Sequence, residues 1–336
     1  MKIGVLGAGT WGIALSSLLV GNNHEVTVWS ALPDEIDELE KSGEHRNLPG
    51  INLPKSIKYT KAIAEAAKDK EMIILVVPSS FIRETARKLA PYIENGAILV
   101  TAAKGIEKGT QKTMTEVIED ELSGLCPTLS YSLAALSGPT HAEEVAVGMP
   151  TSVVAACEDE EVSDRIAQVF ANSCMRVYTN TDVRGVEICG AMKNIIAIAA
   201  GINSGMGLGD NSKAMLMTRG IAEITRLGLA MGCRRRTFMG LAGIGDLIVT
   251  CTSRHSRNNR CGELIGKGKS YEEASREIGM VVEGYHALEA AMELSRKYDV
   301  EMPITGAIYE IVKKGLDPKE AMYRLMTRDL KSELED

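Results

Sequence analysis

KIGVLGAGTWGIALSSLLVGNNHEVTVW, residues Lys2 to Trp29, sets a strand, a turn, a helix and a second strand in immediate succession. Lys2 to Leu6 is a short apolar run that reads as a buried strand. Gly7-Ala8-Gly9-Thr10-Trp11-Gly12 follows as G-x-G-x-x-G and opens a helix that runs to Leu19, before a second strand over Glu25 to Trp29. In that context each glycine has its own task. Gly7 permits the tight turn, Gly9 lets backbone approach a pyrophosphate, and Gly12 lets helix and strand pack closely, with the helix N-terminus facing the anion. Glycine-rich turns alone are common and carry little information. The flanking strand, helix and strand at their expected distances make this one a dinucleotide site.

In such units an acidic residue about 20 positions further on commonly accepts the ribose 2′-hydroxyl. Here Ser30-Ala31 stands at that point, with Asp34 and Glu35 shortly after and no adjacent arginine, so the reading allows NADP and does not exclude NAD. The alternation continues with a strand near Ile57 to Tyr59, a helix near Ala62 to Lys68, a strand Met72 to Val77, a helix Phe81 to Leu89 and a strand Ile98 to Thr101. Further strand-like runs are Leu133 to Leu136, Val153 to Ala156 and Arg176 to Tyr178. Unbroken apolar strands suit a parallel sheet covered on both faces. From Asp182 onward helical patterns replace strand patterns, near 182 to 201, 212 to 231, 258 to 267, 284 to 298, 305 to 314 and 318 to 326. The expected fold is α/β: an N-terminal Rossmann-type, mostly parallel, doubly wound sheet over residues 1–181, then an all-α substrate-binding domain over 182–336, with the site in the cleft between them.

The 336 residues suffice for two cores. A formal charge of -7 argues against generic nucleic-acid binding, which needs a basic face. Seven scattered cysteines without C-x-x-C spacing indicate neither a metal site nor a disulfide framework and suit a reducing compartment. No leader peptide is read before Gly4 and no apolar run is read as long enough for a membrane span, so a cytoplasmic protein without membrane insertion is expected. Chain size and the frequency of symmetric pairs raise a homodimer as an expectation.

In the stretch EICGAMKNIIAIAAGINSGMGLGDN, Glu187 to Asn211, Ile188, Ala191, Met192, Ile195, Ile196 and Ala199 form an apolar helical stripe interrupted by Lys193. An ammonium there either snorkels to water or is held at a polar site inside. A surface lysine is the plainer reading, and the glycine-rich loop that follows and the N-terminal nucleotide motif weigh against it. Lys104, in Ala102-Ala103-Lys104-Gly105, lies just past the carboxyl end of a strand, where ligands bind in such sheets. His141, in the turn Ser137 to Ala142, reads as structural at a helix start. Asp246 lies among glycines and aliphatics, where capping and function weigh nearly alike. The run Thr250 to Arg260 is rich in donors, and serine, arginine and asparagine at a helix start would clamp a phosphate. Glu283 caps a helix or meets a cofactor ribose. Arg234-Arg235-Arg236 reads as a solvated loop.

Taken together, GAGTWG (7–12), AAKG (102–105), SGPT (137–140), GAMKNIIAIAAG (190–201), GLAGIGDLIVTCTS (240–253), SRN (256–258), VVEG (281–284) and EMPI (301–304) resemble bacterial NAD(P)-dependent glycerol-3-phosphate dehydrogenase over essentially the whole chain. The resemblance implies interconversion of dihydroxyacetone phosphate and sn-glycerol 3-phosphate, the glycerol backbone of phospholipids. It implies Lys193 as the acid/base residue, with Lys104 and Asp246 beside it in catalysis. It places Lys104, Gly138, Thr140, Lys193, Asp246, Ser256, Arg257 and Asn258 near substrate. Thr10, Trp11, Lys104, Ala142, Arg257, Val281 and Glu283 carry over as cofactor contacts, beside the glycines 7, 9 and 12. Thr10 replaces a frequent serine, and Ser204 fills a slot often held by aspartate, which puts any role of that carboxylate in doubt. A hydroxy-acid dehydrogenase and a cofactor-sensing binding protein are the rival readings, separated by assay with phosphorylated and unphosphorylated C3 compounds.

Overall fold

The computed structural model describes residues 1–333. The chain forms two compact units, one of residues 1–104 and 112–183, the other of residues 105–111 and 184 onward.

The first unit is an eight-stranded sheet. Its elements run β1 (Lys2–Leu6), α1 (Thr10–Gly21), β2 (Glu25–Trp29), α2 (Pro33–Ser42), β3 (Lys58–Thr60), β4 (Met72–Leu75), α3 (Ile82–Leu89), β5 (Ala97–Thr101), α4 (Met114–Leu125), β6 (Tyr131–Ser137), α5 (Ala142–Ala146), β7 (Thr151–Cys157), α6 (Glu160–Phe170) and β8 (Met175–Asn180). The strand order is β3-β2-β1-β4-β5-β6-β7-β8, and only the β6–β7 pairing is antiparallel. Strand order reverses between β1 and β4, so the crevice at their carboxyl ends is where such sheets take ligands.

The unbroken apolar strands have a direct cause. Successive side chains of a strand point to opposite faces. Met72 and Ile74 of β4 enter one hydrophobic core, while Ile73 and Leu75 enter another on the other face. With both faces covered, neither set of positions can be polar. One element departs from expectation: residues 62–68 form successive turns closed largely by i→i+3 bonds, such as Glu65 N–H to Ala62 and Ala66 N–H to Ile63, rather than a helix.

The second unit is helical: α7 (Val183–Gly205), α8 (Asp210–Ala230), α9 (Arg235–Phe238), α10 (Asp246–Thr252), α11 (Arg257–Gly266), α12 (Tyr271–Ile278), α13 (Glu283–Lys297), α14 (Pro303–Lys314) and α15 (Pro318–Met326). Arg234, Arg235 and Arg236 are exposed at the start of α9, a short helix where a loop is expected. Gly105–Gln111 joins this unit instead of the first, because Ile106 is buried in its core and Gln111 donates to Glu293 at 3.3 Å.

α7 is its central rod. Residues 185–203 are all buried, so the helix is enclosed on every side and not amphipathic as its stripe suggests. It is also long and apolar enough to cross a membrane, contrary to expectation, and that whole window is buried inside the protein.

Candidate active site

In the sheet unit the glycine turn behaves as its spacing requires. Gly7 has φ +127°, and a Cβ there would stand 2.9 Å from the Val76 carbonyl carbon at the end of β4. A Cβ on Gly12 would stand 2.0 Å from the Gly7 carbonyl oxygen, which closes α1 onto the turn. Gly9 is different. Nothing lies within 4 Å of the Cβ it lacks, and as the N-cap of α1 it brings no side chain to cap the helix. An open space facing uncapped N–H groups of the first turn fits a pyrophosphate. Thr10 accepts from Asn47 Nδ2 at 3.2 Å, and Trp11 packs partly buried on the core.

The end of β2 corrects the expectation about charge. Ser30 is buried, and its hydroxyl donates to Glu35 at 2.7 Å. Because α2 begins at Pro33, its first turn folds Glu35 back over the strand end, and Arg46 pairs with that carboxylate at 3.5 Å. The nearby acid Glu35 and the sequence-distant Arg46 therefore both stand beside the end of β2.

At the carboxyl ends of β5 and β6, Lys104 Nζ and the Thr140 hydroxyl each donate to the Gly138 carbonyl at 3.1 Å. The fold thus gathers Lys104, Gly138 and Thr140. Ala142, the first residue of α5, packs half-buried on the core. His141 is the N-cap of α5 and makes no side-chain cap bond.

In the helical unit Lys193 is brought inside. Its side chain is only 8% exposed, and the ammonium bonds the carboxylate of Asp246, itself 1% exposed, and donates to Thr250 Oγ1 at 2.7 Å. The local cause is the wide π-helical turn Leu241–Gly245, which leads into α10 with Asp246 as its first residue and Thr250 one turn on. Asp246 is not the cap of α10; Gly245 holds that position. A buried ammonium is tolerated only with charged and hydrogen-bonding partners, and here it has both. Thr250 also donates to the Asp246 backbone carbonyl at 2.6 Å. Its part was missed from sequence, although Asp246 and Thr250 at i,i+4 share a helix face.

Ser256 is the N-cap of α11 and accepts from Asn259 N–H at 3.2 Å. Arg257 is half-buried at the first position of that helix and makes no side-chain hydrogen bond or ion pair among the described residues. Asn258 is turned inward, bonding Asn194 and the Gly284 N–H, so its carboxamide is engaged within the unit and its backbone N–H at the helix start is what it offers an anion. Glu283 is half-buried as the first residue of α13, whose N-cap is Val282, and Val281 is exposed just before it. Ser204 donates back to Ala200 at 3.1 Å on its own helix.

Comparison with known proteins agrees across the length of the chain. Residues 2–163 match the model for the NAD-dependent glycerol-3-phosphate dehydrogenase N-terminus, and residues 182–323 that for its C-terminus. The chain is 57% identical over 333 residues to glycerol-3-phosphate dehydrogenase [NAD(P)+] 2 of Lactobacillus delbrueckii subsp. bulgaricus, covering 99% of each chain. It is 46% identical to glycerol-3-phosphate dehydrogenase [NAD(P)+] of Agathobacter rectalis, covering 99% of this chain and 97% of that one. The crystal structure of glycerol-3-phosphate dehydrogenase from Coxiella burnetii is 36% identical with a TM-score of 0.92, covering 97% of this chain and 99% of the other.

Proposed function

The chain belongs to the NAD-dependent glycerol-3-phosphate dehydrogenase family and is an NAD(P)-dependent oxidoreductase, and from that premise we propose that Lys193 is the proton donor in the reduction of dihydroxyacetone phosphate to sn-glycerol 3-phosphate. The observation that carries the assignment is a buried ammonium held by Asp246 and Thr250.

Gly7, Gly9, Thr10 and Gly12 would hold the pyrophosphate of NAD(P), which when bound supplies the hydride. The chain's own residues do the rest. Reduction turns the ketone oxygen into a hydroxyl, and the Lys193 Nζ–H is the proton source; in the reverse direction the neutral amine takes that proton back. Asp246 and Thr250 fix two of the three donor directions of an ammonium, and so fix its orientation. General-acid help of this kind accelerates reactions by about 10²- to 10⁴-fold. Arg257 is suited to the phosphate because guanidinium offers paired donors that fit an oxyanion, and the start of α11 adds backbone N–H groups. Binding the phosphate away from the reacting carbon positions the ketone. Lys104, Gly138 and Thr140 form the substrate-side cluster of the sheet unit in this reading.

The test is turnover of dihydroxyacetone phosphate with NADH and NADPH in parallel, followed by loss of reduced-nicotinamide absorbance. Consumption is expected with the phosphorylated ketone and much less with unphosphorylated dihydroxyacetone. No turnover, or a preference for the unphosphorylated compound, would overturn the reading.

A further inference from the structure

The chain takes a long route between β5 and α4. A strand-to-helix connection commonly needs about 2–6 residues, and it lies at the carboxyl ends of the strands, where such sheets take ligands. Here residues 102–113 intervene, and Gly105–Gln111 leaves the sheet unit to pack in the helical one before the chain returns. The departure comes directly after Lys104, whose ammonium donates to the Gly138 carbonyl at 3.1 Å. On the return, Lys112 pairs with Asp120 and Thr113 forms the capping box of α4.

Side chains of Ile106, Lys108 and Gln111 hold the excursion. Ile106 is 5% exposed, in the core of the helical unit. Lys108 pairs with Glu289 at 2.5 Å, and Gln111 Nε2 donates to Glu293 at 3.3 Å. Glu289 and Glu293 are an i,i+4 pair on α13, so both bonds fall on one face of that helix. The Lys108 side chain is 72% exposed, so solvent screens its ion pair, and Ile106 and Gln111 carry the anchoring. The segment is also closed on itself: the Gln111 N–H donates to the Glu107 carbonyl at 3.0 Å, and the Thr110 hydroxyl donates to the Glu107 carboxylate at 2.6 Å.

The backbone is strained at the second anchor. Gln111 has φ +60°, a left-handed conformation that residues with a Cβ other than asparagine and aspartate rarely adopt. Strain of this kind persists only where the surroundings over-determine it, as the bonds to Glu107 and Glu293 do here. At the other end, the two residues from Lys104 to Ile106 span at most about 7 Å, so a buried Ile106 leaves the Lys104 backbone little freedom.

We infer that Gly105–Gln111 is a positioning strap for Lys104: Ile106 in the core and Gln111 on α13 fix the backbone that follows Lys104, and so fix where its ammonium meets the substrate. α13 opens with Glu283, so one helix carries that residue and the strap's anchors. Misplacing a contact by about 1 Å can cost about 10²-fold in rate. The inference rests on the reading of Lys104 as a substrate contact.

The test uses the full-length enzyme and a double-variant cycle of Ile106→Ala with Lys104→Ala, followed in kcat/KM for dihydroxyacetone phosphate. Ile106→Ala is expected to lower kcat/KM about 10- to 100-fold beside an intact Lys104, and no more than about twofold in the Lys104→Ala enzyme, because both changes remove one contact. Effects that multiply would overturn the inference, as would a lowered Tm with unchanged kcat/KM. Gln111→Gly separates positioning from folding: glycine takes the left-handed conformation without strain, so Tm should hold while kcat/KM falls about tenfold with the bond to Glu293 lost. Glu293→Ala should fall likewise, and Glu293→Gln, which keeps an acceptor, should stay within about threefold of wild type. Wild-type kcat/KM in Gln111→Gly, or equal loss in both Glu293 variants, would overturn the inference even if Ile106→Ala does not fold. If Lys104→Ala turns over too slowly to follow, the same cycle is read in the Kd of dihydroxyacetone phosphate by calorimetry. Lys104→Ala with wild-type kcat/KM would overturn the reading of Lys104 and this inference with it, whereas an impaired Lys104→Ala enzyme with multiplying effects would overturn the inference alone.

Discussion

Thr250 accepts a hydrogen bond from the Lys193 ammonium at 2.7 Å while its own hydroxyl donates to the backbone carbonyl of Asp246, so one side chain ties that ammonium to the start of α10. Thr250→Val keeps the shape and removes the acceptor. The expected result is a fall in kcat of about tenfold, ~1.4 kcal/mol, close to the lower end of what a hydrogen bond to a charged group contributes, whereas Thr250→Ser stays within about threefold of wild type. Equal kcat in the valine and serine variants would show that the hydroxyl does not hold the ammonium.

The glycines of the first turn separate stability from binding. A Cβ at Gly12 collides with the Gly7 carbonyl oxygen, so Gly12→Ala should destabilise the fold by about 1–3 kcal/mol, seen as a lowered Tm. A Cβ at Gly9 enters open space, so Gly9→Ala should leave stability within about 0.5 kcal/mol of wild type. Its cost should appear in cofactor Kd, measured by nicotinamide fluorescence, as at least about a tenfold weakening, ~1.4 kcal/mol. Normal cofactor binding by Gly9→Ala would remove the pyrophosphate from this turn.

Glu35, bonded to Ser30 at the end of β2, is expected to accept the ribose hydroxyls of NAD and to repel the extra phosphate of NADP. Glu35→Gln should raise the ratio of kcat/KM for NADPH over NADH by about tenfold, ~1.4 kcal/mol of lost discrimination. An unmoved ratio would place the adenosine ribose elsewhere.

His45 gives a pH dependence of stability. Burial, and then Arg46, hold its pKa below the ordinary 6.5, against the pull of Glu35, Glu38 and the Ala8 backbone. The folded state therefore keeps the ring neutral, with Nδ1 accepting the Asn47 N–H at 3.1 Å. The unfolded chain binds the extra proton first as pH falls, so the contribution is complete above 6.5 and is lost on acidification through the lowered value. The Tm of wild type should fall more steeply below pH 6.5 than that of His45→Gln; parallel curves would contradict the assignment.

The sheet was legible in the sequence because strands covered on both faces must be apolar throughout, and Ile73 and Ile74 show the two faces filled. Lys193 stood out in the sequence through the glycine-rich loop after it and the N-terminal nucleotide motif, since the stripe alone favours a surface lysine. The helices α2, α4 and α6 were not read, although α4 places Met114, Val117, Ile118 and Leu122 at helical spacing. Thr113 and Glu116 also form a capping box at α4, as Ser270 and Glu273 do at α12, signals available in the letters. Thr250 was hidden because no helical pattern is read over 246–252, whereas the glycines before Asp246 form a π-helical turn that leads into α10. Glu35 and Asn258 depend on the fold itself: α2 returns one to Ser30, and only the packing of α7, α11 and α13 turns the other inward.

Most directly decisive is Lys193→Met, assayed for cofactor Kd and for kcat on dihydroxyacetone phosphate in the same preparation. Cofactor affinity within about twofold of wild type with kcat reduced about 10²- to 10⁴-fold is the expected result. A folded Lys193→Met enzyme that turns over at nearly the wild-type rate would mean that the proton comes from another group.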